Sequence, residues 1–406
     1  MADHKIINDP VFGFIRIPGG VLLSIVAHPD FFRLSRIKQL GGANMVYPGA
    51  QHTRFQHSVG AFHLMSKAVR TLQMKDVEIT AEEAEAVEAA ILMHDIGHGP
   101  FSHVLEHTLI SGVNHEEVSL MIMEKLNREF GGQLSLAIRI FKDEHPKHFL
   151  HQLISSQLDM DRLDYLRRDS FFSGVTEGNI GSARIIDMLA VKDDRLVVEK
   201  KGIYSIENYL VSRRLMYWQV YLHKTGVAAE HVLINALNRA KTLARRGVPL
   251  PCSPALHFFL YQDIDRRRFM CDPDCLENYL DLDDNDIMSA LKVWQKADDT
   301  ILSMLSRDFI GRKIFRVEVT DEPTDEAHVR ETVDELAARY GVSTGEARLY
   351  LTSQLEIGKD MYSTDEDKIE ILMKDGTTRD IAEVSDMLNV ETLSKKVKKY
   401  FFCYQR

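Results

Sequence analysis

Three histidines, one aspartate and two glycines crowd into residues 93–103, Met-His-Asp-Ile-Gly-His-Gly-Pro-Phe-Ser-His. Imidazole and carboxylate are donors that suit Zn, Fe, Mn or Ni, and a His beside an Asp can serve two ions when one ligand bridges. Two ligands do not hold an ion, so the pattern needs partners. His57 lies upstream in Arg54-Phe55-Gln56-His57-Ser58, and Asp161 lies downstream in Leu158-Asp159-Met160-Asp161-Arg162-Leu163-Asp164-Tyr165. With each segment on its own helix, a bundle can point His57, His94, Asp95 and Asp161 inward at one cation. Taken singly the residues are ordinary. His57 alone reads as a core or surface histidine, His94-Asp95 recurs by chance, and Asp161 alone caps a helix. Asp159, Asp161 and Asp164 also fit a solvated acidic face paired with Arg162, Arg167 and Arg168 at helical spacing. The order His, His-Asp, Asp within these longer strings favours the metal reading.

The elements that must position these groups are mostly helices. Val87, Ala90, Ile91 and His94 share one face of an Ala- and Glu-rich run, and a helical period dominates from Phe31 to about Arg246. Residues 1–30 read as an extended, turn-rich stretch, broken at Asp9-Pro10 and Pro18-Gly19-Gly20, with regular helix starting only afterwards. Within the helical region, Arg195–Glu199 reads as a strand that pairs with Gly202-Ile203-Tyr204 in a small hairpin. Loops are expected at Pro249–Pro254 and Cys271-Asp272-Pro273, and helix again over Asn285–Phe309. After Gly311 the texture changes: strands are predicted at Lys313–Val319, Arg348–Ile357 and Lys368–Met373, a helix at Glu326–Tyr340, and a hairpin turn at Asp375-Gly376. The basic run Lys395-Lys396-Val397-Lys398-Lys399 reads as a solvated helix face rather than a phosphate site. The expected fold is mainly α, with a catalytic region over 1–311 and a smaller C-terminal α+β unit over 312–406. No internal repeat is visible.

The 406 residues are 45% hydrophobic and 27% charged, enough to bury a large core and too balanced for disorder. A formal charge of −10 disfavours nucleic acid or an anionic membrane as the main partner. Anionic substrates then need local basic groups or a metal. Cys252, Cys271, Cys275 and Cys403 are too few and too irregular for a disulfide framework, and Cys271 with Cys275 does not make a Zn site. The first residues, MADHKIINDP, lack the apolar run of a signal peptide, and no stretch of about 20 apolar residues follows. The cytoplasm is the expected location.

The order His57, His94-Asp95, Asp161 resembles the signature of the HD superfamily of metal-dependent phosphohydrolases. More specifically, IKQLGG at 37–42, VYPGA at 46–50, RFQHS at 54–58, HDIGHGPFSH at 94–103, NHEE at 114–117 and DMDRLDYLRRD at 159–169 are similar to the deoxynucleoside triphosphate triphosphohydrolases. That family includes bacterial enzymes and the animal enzyme that joins an HD domain to a sterile alpha motif. The similarity runs through about residues 5–245 and is loose beyond Pro249; no sterile alpha motif is expected ahead of it. The resemblance implies an HD-domain helical fold and hydrolysis of a dNTP at its α-phosphorus, releasing deoxynucleoside and intact triphosphate. A divalent ion (Fe, Mn, Zn, Ni or Mg) would polarise the phosphate and supply hydroxide near neutral pH.

By position in the family's motifs, His57, His94, Asp95 and Asp161 match the metal ligands, and His98 and His115 match histidines facing the reacting phosphate. His103 matches the general acid for the departing 5′ oxygen, a task that suits an imidazole. Glu106, one turn later, stands where the family commonly has Asp and keeps a carboxylate for that histidine. Arg54, Arg162, Tyr165 and Arg213 match contacts to triphosphate and sugar; Arg162 replaces a Lys and keeps its charge. Gln39 and Leu40 match positions against the sugar, where a tight fit rejects a ribose 2′-OH. Without the resemblance, Arg54 and Arg213 read as surface ion pairs, and Tyr165 and Leu40 as core packing. Animal relatives form tetramers around guanine nucleotides, and Lys5 and Asn8 match part of that effector site. Ala27 and Ser35, however, stand where that site has an acidic residue and an Arg. A homo-oligomer with a nucleotide effector, activated differently from the GTP-triggered scheme, is therefore expected. The alternatives are another HD phosphohydrolase, acting on phosphomonoesters, cyclic nucleotides or guanosine tetraphosphate, and a nucleotide-sensing module.

Overall fold

A computed structural model describes residues 4–101, 104, 108–110, 112–359, 362–363, 368–386 and 397–406. The fold is mainly α, with small sheets set against a helical body. The chain begins with a hairpin of β1 (His4–Asp9) and β2 (Gly13–Pro18), turned at Gly13 with φ 77°. The extended reading then fails early, because Val21–Ala27 is already helical. Gly20, at φ 84°, ends the strand and caps the helix, and Val21, Leu22, Ile25 and Val26 bury one helical face.

Three helices build the framework of the site. The helix Arg54–Gln73 packs on both Ala81–Met93 and Met160–Ser173. Each starts where the side chains dictate: a Thr53/Gln56 capping box, a Thr80/Glu83 capping box, and an Asp159 side chain accepting from the Arg162 N–H. The last of the three stops at Gly174 in the left-handed conformation. Ala86, Ala89 and Ala90 are buried along the middle helix, where small side chains allow close approach on both flanks. No described helix is long and apolar enough to cross a membrane.

The β hairpin in this body differs from the expected one. β4 (Arg195–Glu199) pairs antiparallel with β3 (Leu189–Lys192), and Gly202-Ile203-Tyr204 instead leads into the helix Ile203–Met216. Asp193 and Asp194, at φ 50° and 61°, form the two-residue turn that this hairpin twist favours. Loops lie at Pro249–Pro254 and around Asp272 as expected, and the helices Asp284–Trp294 and Thr300–Ile310 follow.

In the C-terminal region β5 (Arg316–Thr320), the helix Glu326–Tyr340, β6 (Thr352–Lys359), β7 (Glu370–Leu372), β8 (Thr378–Asp380) and β9 (Val397–Tyr404) form two groups. One sheet has the order β5-β9-β6; in the other, β7 lies parallel to β4 and carries β8, giving β3-β4-β7-β8. β6 begins later than expected because Ala347–Leu351 closes a π-helical turn first. The basic run is not a helix face where it is described: Lys398 and Lys399 lie on β9, paired with Glu356 at 2.6 Å and with Asp321, while Lys395 and Lys396 lie outside the described residues. Buried Phe401, Phe402 and Cys403 select the strand.

The helix Lys224–Arg245 connects the two regions. Its buried Asn235 donates from Nδ2 to Tyr350 O at 2.9 Å and Thr352 O at 3.3 Å, and Arg239 meets Asp299 at 2.6 Å and Glu346 at 3.0 Å. Asn235→Ala leaves two carbonyls without that donor and is expected to cost about 1–3 kcal/mol, seen as a lower denaturation midpoint; an unchanged midpoint would show that the contact does not hold the regions together.

Candidate active site

His57 projects from the first turn of Arg54–Gln73, His94 and Asp95 from the end of Ala81–Met93, and Asp161 from the first turn of Met160–Ser173. The three helices bring these groups together. His57 Nε2 lies 3.0 Å from Asp161 Oδ1 and 3.3 Å from His94 Nε2, and His94 Nε2 is 3.3 Å from the same Asp161 oxygen. Asp95 closes the group, with Oδ2 3.6 Å from His57 Nε2 and Oδ1 3.5 Å from His94 Nε2.

The outer ring nitrogens are committed. His57 Nδ1 is 2.7 Å from Asp164 Oδ2, and His94 Nδ1 is 2.6 Å from Ile91 O, so each donates outward, and in its neutral form each ring turns an Nε2 lone pair inward. Two inward lone pairs beside two carboxylates call for a cation between them. The same demand shows in the titration behaviour. Burial opposes a charge on His57, yet its hydrogen bonds to Asp161 and Asp164 push its pKa up to about 10. Burial likewise opposes ionisation of Asp161, but His57 and His94 hold its carboxyl well below the usual range. The donor set of two imidazoles and two carboxylates therefore fits a divalent metal ion.

Asp95, His98 and His115 form a second group of potential ligands beside the first. His98 Nε2 lies 3.4 Å from Asp95 Oδ1, and the His98 and His115 rings stack with centroids 3.8 Å apart. Gly97 makes that stack possible, since a Cβ there would meet His115 O at 2.1 Å. Both groups border a cleft of about 600 Å³, within the range of small-molecule sites. Arg54 and Arg162 supply positive charge to its wall, Gln39, Leu40 and Tyr165 line it, and Arg54 Nη1 donates to Asp95 Oδ2. Arg213 does not line the cleft but acts electrostatically on Tyr165 and Tyr209. Lys5 and Asn8 are exposed on β1 and are not part of the cleft wall. His103 and Glu106 lie outside the described residues.

Residues 54–169 match the HD domain family, and residues 180–246 match the HD associated region. The crystal structure of a phosphohydrolase from Bacteroides thetaiotaomicron is 64% identical, covers 99% of this chain and 100% of its own, and superposes with a TM-score of 0.97. The chain belongs to the HD-domain phosphohydrolases. An uncharacterized Bacillus subtilis protein, YwfO, is 29% identical over 98% of this chain and 90% of its own length. The deoxynucleoside triphosphate triphosphohydrolase SAMHD1 of Homo sapiens is 30% identical over 58% of this chain, and the match spans only 44% of that protein.

The HD-domain site rests on buried charges that the sequence alone also allowed at the surface. Asp164 is fully buried rather than part of a solvated acidic face: it accepts from His57 and from Arg168 Nε and Nη2 at 2.9 Å each, and Arg168 reaches Asp9 at 2.7 Å. The helical pairing was legible in the i, i+4 spacing; the burial was not. Gly60 makes room for it, since a Cβ there would lie 2.0 Å from both Arg168 Nη2 and Asp164 Oδ1. Asp169 was also missed. It lines the cleft with its carboxylate held by His52 at 2.7 Å and the Tyr221 hydroxyl at 2.8 Å. Its signal was the i, i+4, i+8 row Asp161, Tyr165, Asp169, which puts all three on one helix face.

Asp164→Asn removes the charge that orients His57 and is expected to weaken Mn or Zn binding roughly 10–100-fold, measured by competition with a chromophoric chelator. Wild-type affinity in this variant would mean that Asp164 does not tune the site.

Proposed function

We propose that this chain hydrolyses deoxynucleoside triphosphates to deoxynucleoside and inorganic triphosphate, with a divalent metal held by His57, His94, Asp95 and Asp161. The observation that carries the reading is the convergence of these four side chains, from three helices, at a cleft whose wall includes Asp95, Asp161, Arg54 and Arg162. A divalent ion bound there supplies Lewis-acid polarisation of a phosphoryl oxygen and a water made nucleophilic at neutral pH.

The chain's own residues would do the rest. Arg54 and Arg162 bind the triphosphate, with Arg162 held in place through Nε by Ser156 O at 2.7 Å and Asp159 Oδ2 at 3.1 Å. Arg213 adds positive charge behind Tyr165. His98 and His115 face the reacting phosphate as a stacked pair. In this reading His103 protonates the departing 5′ oxygen, with Glu106 holding its ring. Gln39 Oε1 is buried and has no hydrogen-bond partner among the described residues, which suits an acceptor for a sugar hydroxyl, and Leu40 packs beside it. The support beyond geometry is the likeness to SAMHD1 across the HD region. Four irregularly spaced cysteines suit work in a reducing cytoplasm.

Incubating the purified chain with Mn, Mg or Fe and each dNTP, then resolving products by anion exchange, tests this directly. Inorganic triphosphate is expected from the wild type and not from His94→Ala or Asp95→Ala, whose loss should exceed roughly a hundredfold. Orthophosphate or pyrophosphate instead would assign the site to another HD phosphohydrolase, and binding without any product would make it a nucleotide sensor.

The same reading makes the active form a homo-oligomer, with Lys5 and Asn8 offered to a nucleotide effector from the exposed face of β1. Ala27 has no carboxylate to read a guanine. Sedimentation velocity is therefore expected to show no tetramer that depends on GTP, and a GTP-driven tetramer would overturn this part.

A further inference from the structure

Asp284 ties together two parts of the cleft wall from outside the stretches that match the HD domain and its associated region. Its carboxylate is 6% exposed and accepts two backbone N–H groups, Lys38 on Oδ2 and Phe101 on Oδ1, each at 2.9 Å. Lys38 immediately precedes Gln39 and Leu40, and Phe101 follows the His94–His98 turn; Gln39, Leu40 and Phe101 all line the cleft. The two segments touch, since a Cβ on Gly41 would lie 3.8 Å from the Phe101 backbone.

Phe101 sits at φ 52°, a left-handed conformation that a bulky L-residue rarely adopts without support. The Asp284 bond is part of that support, together with the edge contact of the Phe101 ring on Phe309. The neighbouring residues fasten the turn from behind. Buried Arg33 donates to Leu282 O at 3.1 Å, Ile96 O at 3.4 Å and His98 O at 2.8 Å, while the Tyr279 hydroxyl donates to Gly97 O at 2.7 Å. Residues 279–284 thus brace two adjoining segments of the cleft wall.

We propose that Asp284 is a specificity-determining positioning residue, whose single carboxylate fixes Gln39-Leu40 against Phe101 in the stretch of cleft wall on which the nucleotide sugar lies. The inference rests on the triphosphohydrolase reading. A ribose differs from a deoxyribose by one oxygen, so discrimination by fit needs a wall that does not yield. Asp284→Asn keeps the size of the side chain but turns one acceptor into a donor facing an N–H, which frees one of the two segments.

The test compares wild type, Asp284→Asn and Asp283→Asn, measuring kcat and KM for dATP and ATP with Mn present, together with hydrogen exchange at the Lys38 and Phe101 amides. Asp283 is the control: it caps the same helix and pairs with Arg36 at 2.5 Å, but takes neither amide. In Asp284→Asn the dATP-over-ATP ratio of kcat/KM is expected to fall roughly tenfold, with faster exchange at one or both amides; in Asp283→Asn the ratio should hold. An unchanged ratio despite faster exchange, or unchanged exchange, overturns the proposal. A wild type that releases no triphosphate from any dNTP would instead refute the underlying reading of function, and amide exchange would alone decide whether the brace exists.

Discussion

Two buried imidazole nitrogens 3.3 Å apart, flanked by carboxylates, need positive charge among them, supplied by a bound cation or by a proton on His57. Everything around the site follows from that constraint. The outer nitrogens are fixed by Asp164 and by the Ile91 carbonyl, and these partners decide which face of each ring looks inward. A flip of either ring would bring the Cε1–H in place of Nε2 and remove a donor atom from the centre.

The constraint propagates outward through buried charge. His57 leans on Asp164, Asp164 on Arg168, and Arg168 on Asp9 at the end of the first strand. Breaking such a buried pair costs about 3–5 kcal/mol, because the remaining charge has no water to turn to. The N-terminal hairpin is therefore fastened to the catalytic helices by the chain of ions that orients a ligand. Gly60 and Gly97 belong to the same design: each clears the volume that an ion pair or a histidine stack occupies, and neither position tolerates a Cβ without displacement.

Local signals carried much of this fold. Capping residues Thr53, Thr80 and Asp159 open the three helices that hold the ligands, and the helix over Glu326–Tyr340 was legible in its periodicity. The convergence of His57, His94, Asp95 and Asp161 was legible too, from their order and from the longer strings around them. What escaped was set by which segments pair and pack. β4 chose Leu189–Lys192 as its partner through an Asp-Asp turn, and the basic C-terminal run became a strand because Phe401 and Phe402 needed a core. The burial of Asp164 and Arg168 escaped for the same reason: a helical i, i+4 ion pair reads alike on a surface and in a core, and only the packing of three helices tells them apart.

One divalent ion is expected among His57, His94, Asp95 and Asp161. Anomalous diffraction from crystals grown with Mn, collected on both sides of the metal's absorption edge, tests it most directly. The expected result is a metal peak bonded to His57 Nε2, His94 Nε2 and the Asp95 and Asp161 carboxylates. Metal bound elsewhere in the chain, with those four side chains satisfied only by one another, would contradict it.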